Sequence, residues 1–217
     1  MEQRAHITYE PIQDYAELYT SSEDAVLKSL NLETHAGVRG AQMLRGHLAG
    51  RFLQMISAIV QPKQILELGT YTGYSAICLA KGLQKDGTLH TIDIDDKLQD
   101  MRNRYWVQAG LENTIHQYIG EAHDVIPKID TTFDLVFIDA DKKNYSLYFD
   151  LVIDKLNVGG IILADNVLFH AEVIQPLEQQ SKSAQSIHLF NQKIAEDNRV
   201  EQVLLPIRDG IMVIRKK

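Results

Sequence analysis

The sequence predicts an α/β fold: a mostly parallel sheet covered by helices on both faces. Three observations carry that prediction. From residue 64 onward, short apolar runs alternate with longer amphipathic ones, the rhythm of strand–helix–strand units. The short runs, such as "FDLVFIDA" (Phe133–Ala140), are near-continuously apolar, as expected of strands buried on both faces. The chain closes on "VEQVLLPIRDGIMVIRK", two strands joined through Asp-Gly around Arg208–Gly210, so one strand must run antiparallel to its neighbour.

The elements follow in order. Residues 11–30 read as one or two helices, the second opening on Ser with acids in its first turn, "SSEDAVLKSL". Thr34–Leu44, with two glycines, reads as a connection. Residues 47–60 form an amphipathic helix that ends before Pro62. Then come a strand at Ile65–Leu68, a helix at Tyr74–Gly82, a strand at Thr88–Ile94 and a helix at Lys97–Ala109. "TIHQYIG" is a strand and "HDVIPKI" a short helical turn; after the strand at Phe133–Ala140 come a helix around Tyr145–Leu156, a strand at Gly159–Asn166 and a helix over 183–197. No repeat or Pro/Gly/Ser-rich linker interrupts the series, so residues 1–217 are expected to form a single domain.

Composition removes several function classes. With 45% hydrophobic and 24% charged residues, the chain has material for a real core. A net charge of −7 argues against a dedicated nucleic-acid binder, because neutralising phosphates needs clustered Lys and Arg. No apolar run approaches the roughly 20 residues that cross a bilayer, and the first residues lack a signal peptide's apolar stretch, so no membrane partner is expected. The single cysteine, Cys78, excludes an internal disulfide, fits a cytoplasmic location and reads as an inert buried thiol.

A sheet of this kind binds its ligand at the carboxyl ends of its strands, which directs attention to the residues where each strand stops. The first strand ends in Glu67-Leu68-Gly69 and continues Thr70-Tyr71-Thr72-Gly73. Gly69 and Gly73 permit close approach of a ligand, and Tyr74 and Ser75 open a helix; the same loop also reads as a plain tight turn. There is no G-x-G-x-x-G, and Glu67 would repel a pyrophosphate but suits an amine-bearing or cationic ligand. Asp93 ends the next strand 24 residues after Gly69, near the offset of a ribose-binding acid.

The fourth and fifth strands end in "FIDADKKN" and "ILADN". If they are neighbours, Asp139, Asp165 and Asn166 converge as three oxygen donors suited to a hard cation, Mg²⁺ or Ca²⁺. Capping is the competing reading of each, and Asp141 competes with Asp139. Lys142 or Lys143 could act as a base beside such a site, or be solvated. The histidines form no ligand-spaced pair, and neither G-x-S-x-G nor H-E-x-x-H occurs.

Taken together, "ILELGTYTGYSAICLA", "TIDID", "FDLVFIDADKKNY", "GGIILADNVLF" and "LPIRDGIMV" resemble the cation-dependent O-methyltransferases, of caffeoyl-coenzyme A and catechol type, in their bacterial branch. The resemblance covers roughly residues 20–215 and implies a Rossmann-like class I methyltransferase fold with strand order 3-2-1-4-5-7-6 and strand seven antiparallel. It implies S-adenosylmethionine as cofactor, met by Met43, Glu67, Gly69, Tyr71, Gly73, Ser75, Asp93, Ala122 and Asp139. Of these, Asp93 would hold the ribose hydroxyls and Ala122 would lie by the adenine. It implies a divalent cation (Mg²⁺, or Ca²⁺ or Mn²⁺) on Asp139, Asp165 and Asn166, with Lys142 as general base and Asp139 beside it. The acceptor would lie against Lys142, Asn166, Phe169 and His170. Residues 1–45 would form a helical lid and dimerisation region of a homodimer. Arg45 departs from the plant members, which carry a small hydroxyl residue there, and takes no assigned role; Asp141 stands where the animal catechol enzymes carry a tryptophan.

The implied reaction is methyl transfer to one hydroxyl of a catechol-type small molecule: catechol, protocatechuate, caffeate or a caffeoyl-coenzyme A-like thioester. Relatives that methylate 5-hydroxyuridine in transfer RNA supply the alternative acceptor, against which the acidic balance counts. A non-catalytic S-adenosylmethionine-binding module is disfavoured because Lys142 and the oxygen donors are all present.

Overall fold

A computed structural model describes residues 8–44 and 46–217. Two helices precede the sheet, α1 (Glu10–Leu18) and α2 (Ala25–Gly37), followed by a 3₁₀ turn at Ala41–Met43 and helix α3 (Gly46–Val60). The alternating part then runs β1 (Gln64–Leu68), α4 (Tyr74–Ala80), β2 (Thr88–Asp93), α5 (Gln99–Gln108), β3 (Ile115–Ile119), α6 (Ala122–Val125), β4 (Phe133–Ile138), α7 (Tyr145–Ile153) and β5 (Leu156–Asp165). It closes with α8 (Lys182–Glu196), β6 (Val200–Leu205) and β7 (Ile211–Lys216).

The seven strands form one sheet in the order β3-β2-β1-β4-β5-β7-β6. The first five pair in parallel, whereas β7 is antiparallel to both β5 and β6. The two-residue side-chain period of a strand puts Val136 and Ile138 of β4 into one apolar cluster and Leu135 and Phe137 into the other. The first cluster is closed by Tyr145, Phe149 and Val152 of α7 and Ile187, Phe190 and Ile194 of α8. The second is closed by α2 through Leu27 and Leu30, by Leu53 of α3, by α4, and by Tyr105 and Trp106 of α5. Burial on both faces is why these strands read as unbroken apolar runs.

Three boundaries differ from the sequence expectation. The helix expected to open on Ser begins instead after Asp24, whose carboxylate accepts from the Val26 and Leu27 amides at 3.1 and 3.0 Å. That helix also runs on to Gly37, because buried Thr34 satisfies its hydroxyl on the Leu30 carbonyl within the helix, at 2.7 Å. The expected connection therefore shrinks to a few residues. The fifth strand starts at Leu156, ahead of Gly159, with a register irregularity against β4 between Phe133 and Leu135.

Among the described residues, no helix is long and apolar enough to cross a membrane.

Candidate active site

The strand order reverses direction between β1 and β4, and the chain opens a cleft of about 1200 Å³ there, at the carboxyl ends of the parallel strands. Gly69 carries β1 into the cleft. It adopts φ +94°, and a side-chain carbon at this position would stand 2.2 Å from the carbonyl oxygen of Asp139. The glycine lets the first loop lie directly on the end of β4, where the Asp139 amide donates to the Leu68 carbonyl at 2.9 Å. Gly73, at φ +84°, returns the loop into α4 against the indole of Trp106.

Asp93, at the end of β2, holds the same loop from the other side. Its Oδ2 accepts from the amides of Thr70 (3.0 Å) and Tyr71 (2.8 Å), and its Oδ1 accepts from the Asp95 amide at 2.9 Å. Arg102 of α5 adds a third donor to Oδ2, through Nη2 at 3.1 Å, and gives Nε to the Tyr71 carbonyl at 2.6 Å. No sequence signal picks out this arginine: α5 opens with Asp100, Arg102 and Arg104, and a buried guanidinium among them looks like another surface charge.

Glu67 lies beneath the loop rather than on the cleft wall. It is fully buried, with Oε2 accepting from the Thr91 hydroxyl at 2.6 Å, and Thr91 is linked in turn to the Thr70 hydroxyl at 2.5 Å. Burial pushes its carboxyl up to about 7; the hydroxyls of Ser75 and Thr91 pull the other way, and the nearby charges of Asp139 and Asp93 raise it further.

β4 and β5 pair in register up to Ile138 and Ala164, so Asp139 and Asp165 stand side by side one position further on. Asp165 is 2% exposed, and its Oδ1 accepts from the Asn166 amide at 2.7 Å. Lys142 Nζ donates to Asp139 Oδ1 at 2.7 Å and to the Tyr145 hydroxyl at 2.8 Å. Tyr145 then donates to the Asp165 carbonyl at 2.8 Å, so one phenol ties the two strand ends to the lysine. Asp141 does not join them. It is exposed, and its carboxylate caps the turn at Lys142–Asn144, accepting from Lys143 N and, at 2.9 Å, from Asn144 Nδ2. Alternation along the strand end puts Asp139 and Asp141 on the same face; what distinguishes them is that Asp141 is engaged in capping this turn while Asp139 holds Lys142. Lys143 is exposed and outside the cleft.

Beyond Asp165 the backbone is unusual: Asn166, Phe169, His170 and Ala171 all have positive φ, between 40° and 62°. Asp209, in the β6–β7 turn, holds this segment. Its Oδ2 accepts from Asn166 Nδ2 at 2.7 Å and its Oδ1 from the His170 amide at 2.6 Å. Strained conformations persist where surroundings over-determine them, and this one borders the cleft. Asp209 escaped the sequence reading because "RDG" is sufficiently explained as a hairpin turn.

Of the residues expected at the site, Met43, Gly69, Tyr71, Ser75, Asp93, Ala122, Asp139, Lys142, Asn166, Phe169 and His170 line the one cleft. Glu67, Gly73 and Asp165 stand just behind its wall. Arg45 is outside the described residues.

A cleft at the switch point that joins a glycine loop, an acid on the second strand and a lysine–carboxylate pair is the plan of a Rossmann-like methyltransferase. The chain belongs to the O-methyltransferase family, whose model matches residues 17–217, and it stands among the S-adenosylmethionine-dependent members. It is 31% identical over 202 residues to a catechol O-methyltransferase of Niastella koreensis, covering 91% of this chain and 90% of that one. It is 30% identical over 191 residues to a probable caffeoyl-CoA O-methyltransferase of Dictyostelium discoideum, covering 86% and 80%. Among solved structures, the S-adenosylhomocysteine-bound methyltransferase PaMTH1 of Podospora anserina superposes with a TM-score of 0.88 at 26% identity, over 96% of this chain and 94% of that one. The Bacillus cereus O-methyltransferase, also in complex with S-adenosylhomocysteine, gives 0.82 at 29% identity, over 95% and 97%.

Proposed function

We propose that this chain transfers a methyl group to one hydroxyl of a catechol-type small molecule, with a divalent cation held by Asp139, Asp165 and Asn166. The observation that carries the reading is the convergence of Asp139, Lys142 and Asn166 on the cleft that also contains the glycine loop, with Asp165 just behind the wall beside Asn166. The donor set suits a hard cation such as Mg²⁺, Ca²⁺ or Mn²⁺: two carboxylates and an amide oxygen, whose charge of −2 matches a divalent ion. The Asn166 side-chain nitrogen donates to Asp209, which fixes the amide at the end of β5.

Bound there, the cation would make a catechol oxygen more acidic, and S-adenosylmethionine would bring an electrophilic methyl group. The chain's own residues do the rest. Gly69 and Gly73 keep the loop low enough for the cofactor to lie over it, and Asp93, which lines the cleft, would hold the ribose hydroxyls. Lys142 Nζ, fixed between Asp139 and Tyr145, is the atom at which the acceptor's proton is held or passed on. Phe169 and His170 form the acceptor wall, and Asp209 fixes their backbone. With donor and acceptor held on the two sides of Asp139, positioning supplies much of the acceleration. The names of the Niastella koreensis and Dictyostelium discoideum relatives support the acceptor class.

The same reading includes a cytoplasmic homodimer, with residues 1–45 as lid and contact region, of which 1–7 and 45 lie outside the described residues. The exposed Tyr9, Ile12, Tyr15, Leu18 and Tyr19 along α1 support an apolar contact there.

The test is methyl transfer from S-adenosylmethionine to a panel of catechols, a coenzyme A thioester and unmodified transfer RNA, with Mg²⁺ or with EDTA. Turnover of a catechol that EDTA abolishes is expected. Turnover of transfer RNA alone would move the acceptor to the nucleic acid, and EDTA-insensitive turnover would remove the cation from the reading.

A further inference from the structure

Arg102 is the largest fully buried side chain among the described residues, 1% exposed in the middle of α5. A guanidinium taken out of water is destabilising unless its hydrogen-bond partners compensate it. Its hydrogen bonds all go to the cofactor side: Nε to the Tyr71 carbonyl and Nη2 to Asp93 Oδ2. Nη1 is buried with no hydrogen-bond partner among the described residues, so the fork is held by those two contacts alone. Tyr71 itself is at φ 49°, a left-handed conformation that a tyrosine adopts only when held. Asp93 Oδ2 is saturated by three donors from Thr70, Tyr71 and Arg102, whereas among the described residues Oδ1 accepts only the Asp95 amide and keeps acceptor capacity on a side chain that lines the cleft.

We propose that Arg102 is a positioning residue of the donor site: it locks Asp93 and the Tyr71 turn into one unit, so that Asp93 Oδ1 is presented to the vicinal hydroxyls of a nucleoside ribose. The inference rests on the reading of the cleft as an S-adenosyl nucleoside site. Arg102 acts through Asp93 and the backbone, and its contribution belongs to binding of the donor rather than to the chemical step.

The experiment measures S-adenosylhomocysteine binding by calorimetry to the full-length chain, as wild type, Arg102→Met and Arg102→Lys. Each is also measured with an analogue whose ribose lacks both hydroxyls. Arg102→Met is expected to weaken S-adenosylhomocysteine binding by about 10- to 100-fold, the loss of charge-assisted hydrogen bonds. It should weaken binding of the dideoxy analogue less than about threefold, because the contact that Arg102 prepares is already gone. In turnover, the KM for S-adenosylmethionine should rise while kcat at saturation stays within about twofold. Arg102→Lys keeps the charge without the fork, and an intermediate loss is expected; it carries the test if the methionine variant does not fold. Equal losses for both ligands would reduce Arg102 to a general structural role and overturn the proposal, as would unchanged binding in a folded variant. Failure of the wild type to bind S-adenosylhomocysteine would instead overturn the reading of the cleft.

Discussion

Glu67 offers the most quantitative test of the site's electrostatics. Its carboxyl rises from an ordinary 4.5 to about 7 because it is fully buried beneath the glycine loop. A carboxyl with a folded pKa above its unfolded value binds its proton more tightly in the native state. Its contribution to stability is therefore complete below pH 4.5 and is lost as the pH rises toward 7. The difference of about 2.5 in pKa corresponds to about 3 kcal/mol. Glu67→Gln keeps the shape and removes the titration. Urea unfolding of both proteins without ligand, from pH 4.5 to 8.5, should show Glu67→Gln gaining on wild type by up to about 3 kcal/mol over that interval and then levelling off. An amine-bearing ligand favours the charged form, so S-adenosylhomocysteine binding near pH 7 should release a proton from wild type and not from the variant, read from the buffer dependence of the binding enthalpy. A pH-independent stability difference between the two proteins would refute the buried, proton-retaining carboxyl.

Other perturbations read the remaining parts of the site. Gly69→Ala puts a methyl carbon 2.2 Å from the Asp139 carbonyl at a left-handed φ, so loss of S-adenosylhomocysteine binding and a lowered unfolding midpoint are expected together. Lys142→Met should reduce kcat by about 10²- to 10⁴-fold while leaving S-adenosylhomocysteine affinity near wild type; an equal loss of affinity would mean that Lys142 serves the donor. Asp209→Ala removes the ties on Asn166 and His170, and a raised acceptor KM and a stability loss of about 1.5–3 kcal/mol are expected. Burial pushes the Cys78 thiol well above its ordinary range, so a thiol reagent should modify the native protein only on unfolding.

Much of this arrangement was written along the chain. Continuous apolar runs such as "FDLVFIDA" determine strands buried on both faces, and "RDG" determines the closing hairpin, because each is a local consequence of side-chain period and turn chemistry. Gly69 and Gly73 mark the loop for the same reason: only a residue without a Cβ fits there. Asp139, Lys142, Asp165 and Asn166 were visible as strand-end residues, and the family pattern they match supplied the strand order. What only the tertiary structure decided is which polar groups meet across long separations. Asp209 holds Asn166 from 43 residues away and Tyr145 ties itself to Asp165 from 20. Strand-end pattern alone let Asp141 compete with Asp139 and the family pattern favoured Asp139; the structure adds that Asp141 is engaged in capping the turn at Lys142–Asn144. Arg102 makes the point most clearly. In one dimension it is one charge in a polar helix; in three it is a buried cation, because the packing of α5 on the sheet leaves Asp93 and the Tyr71 carbonyl as its partners in place of water.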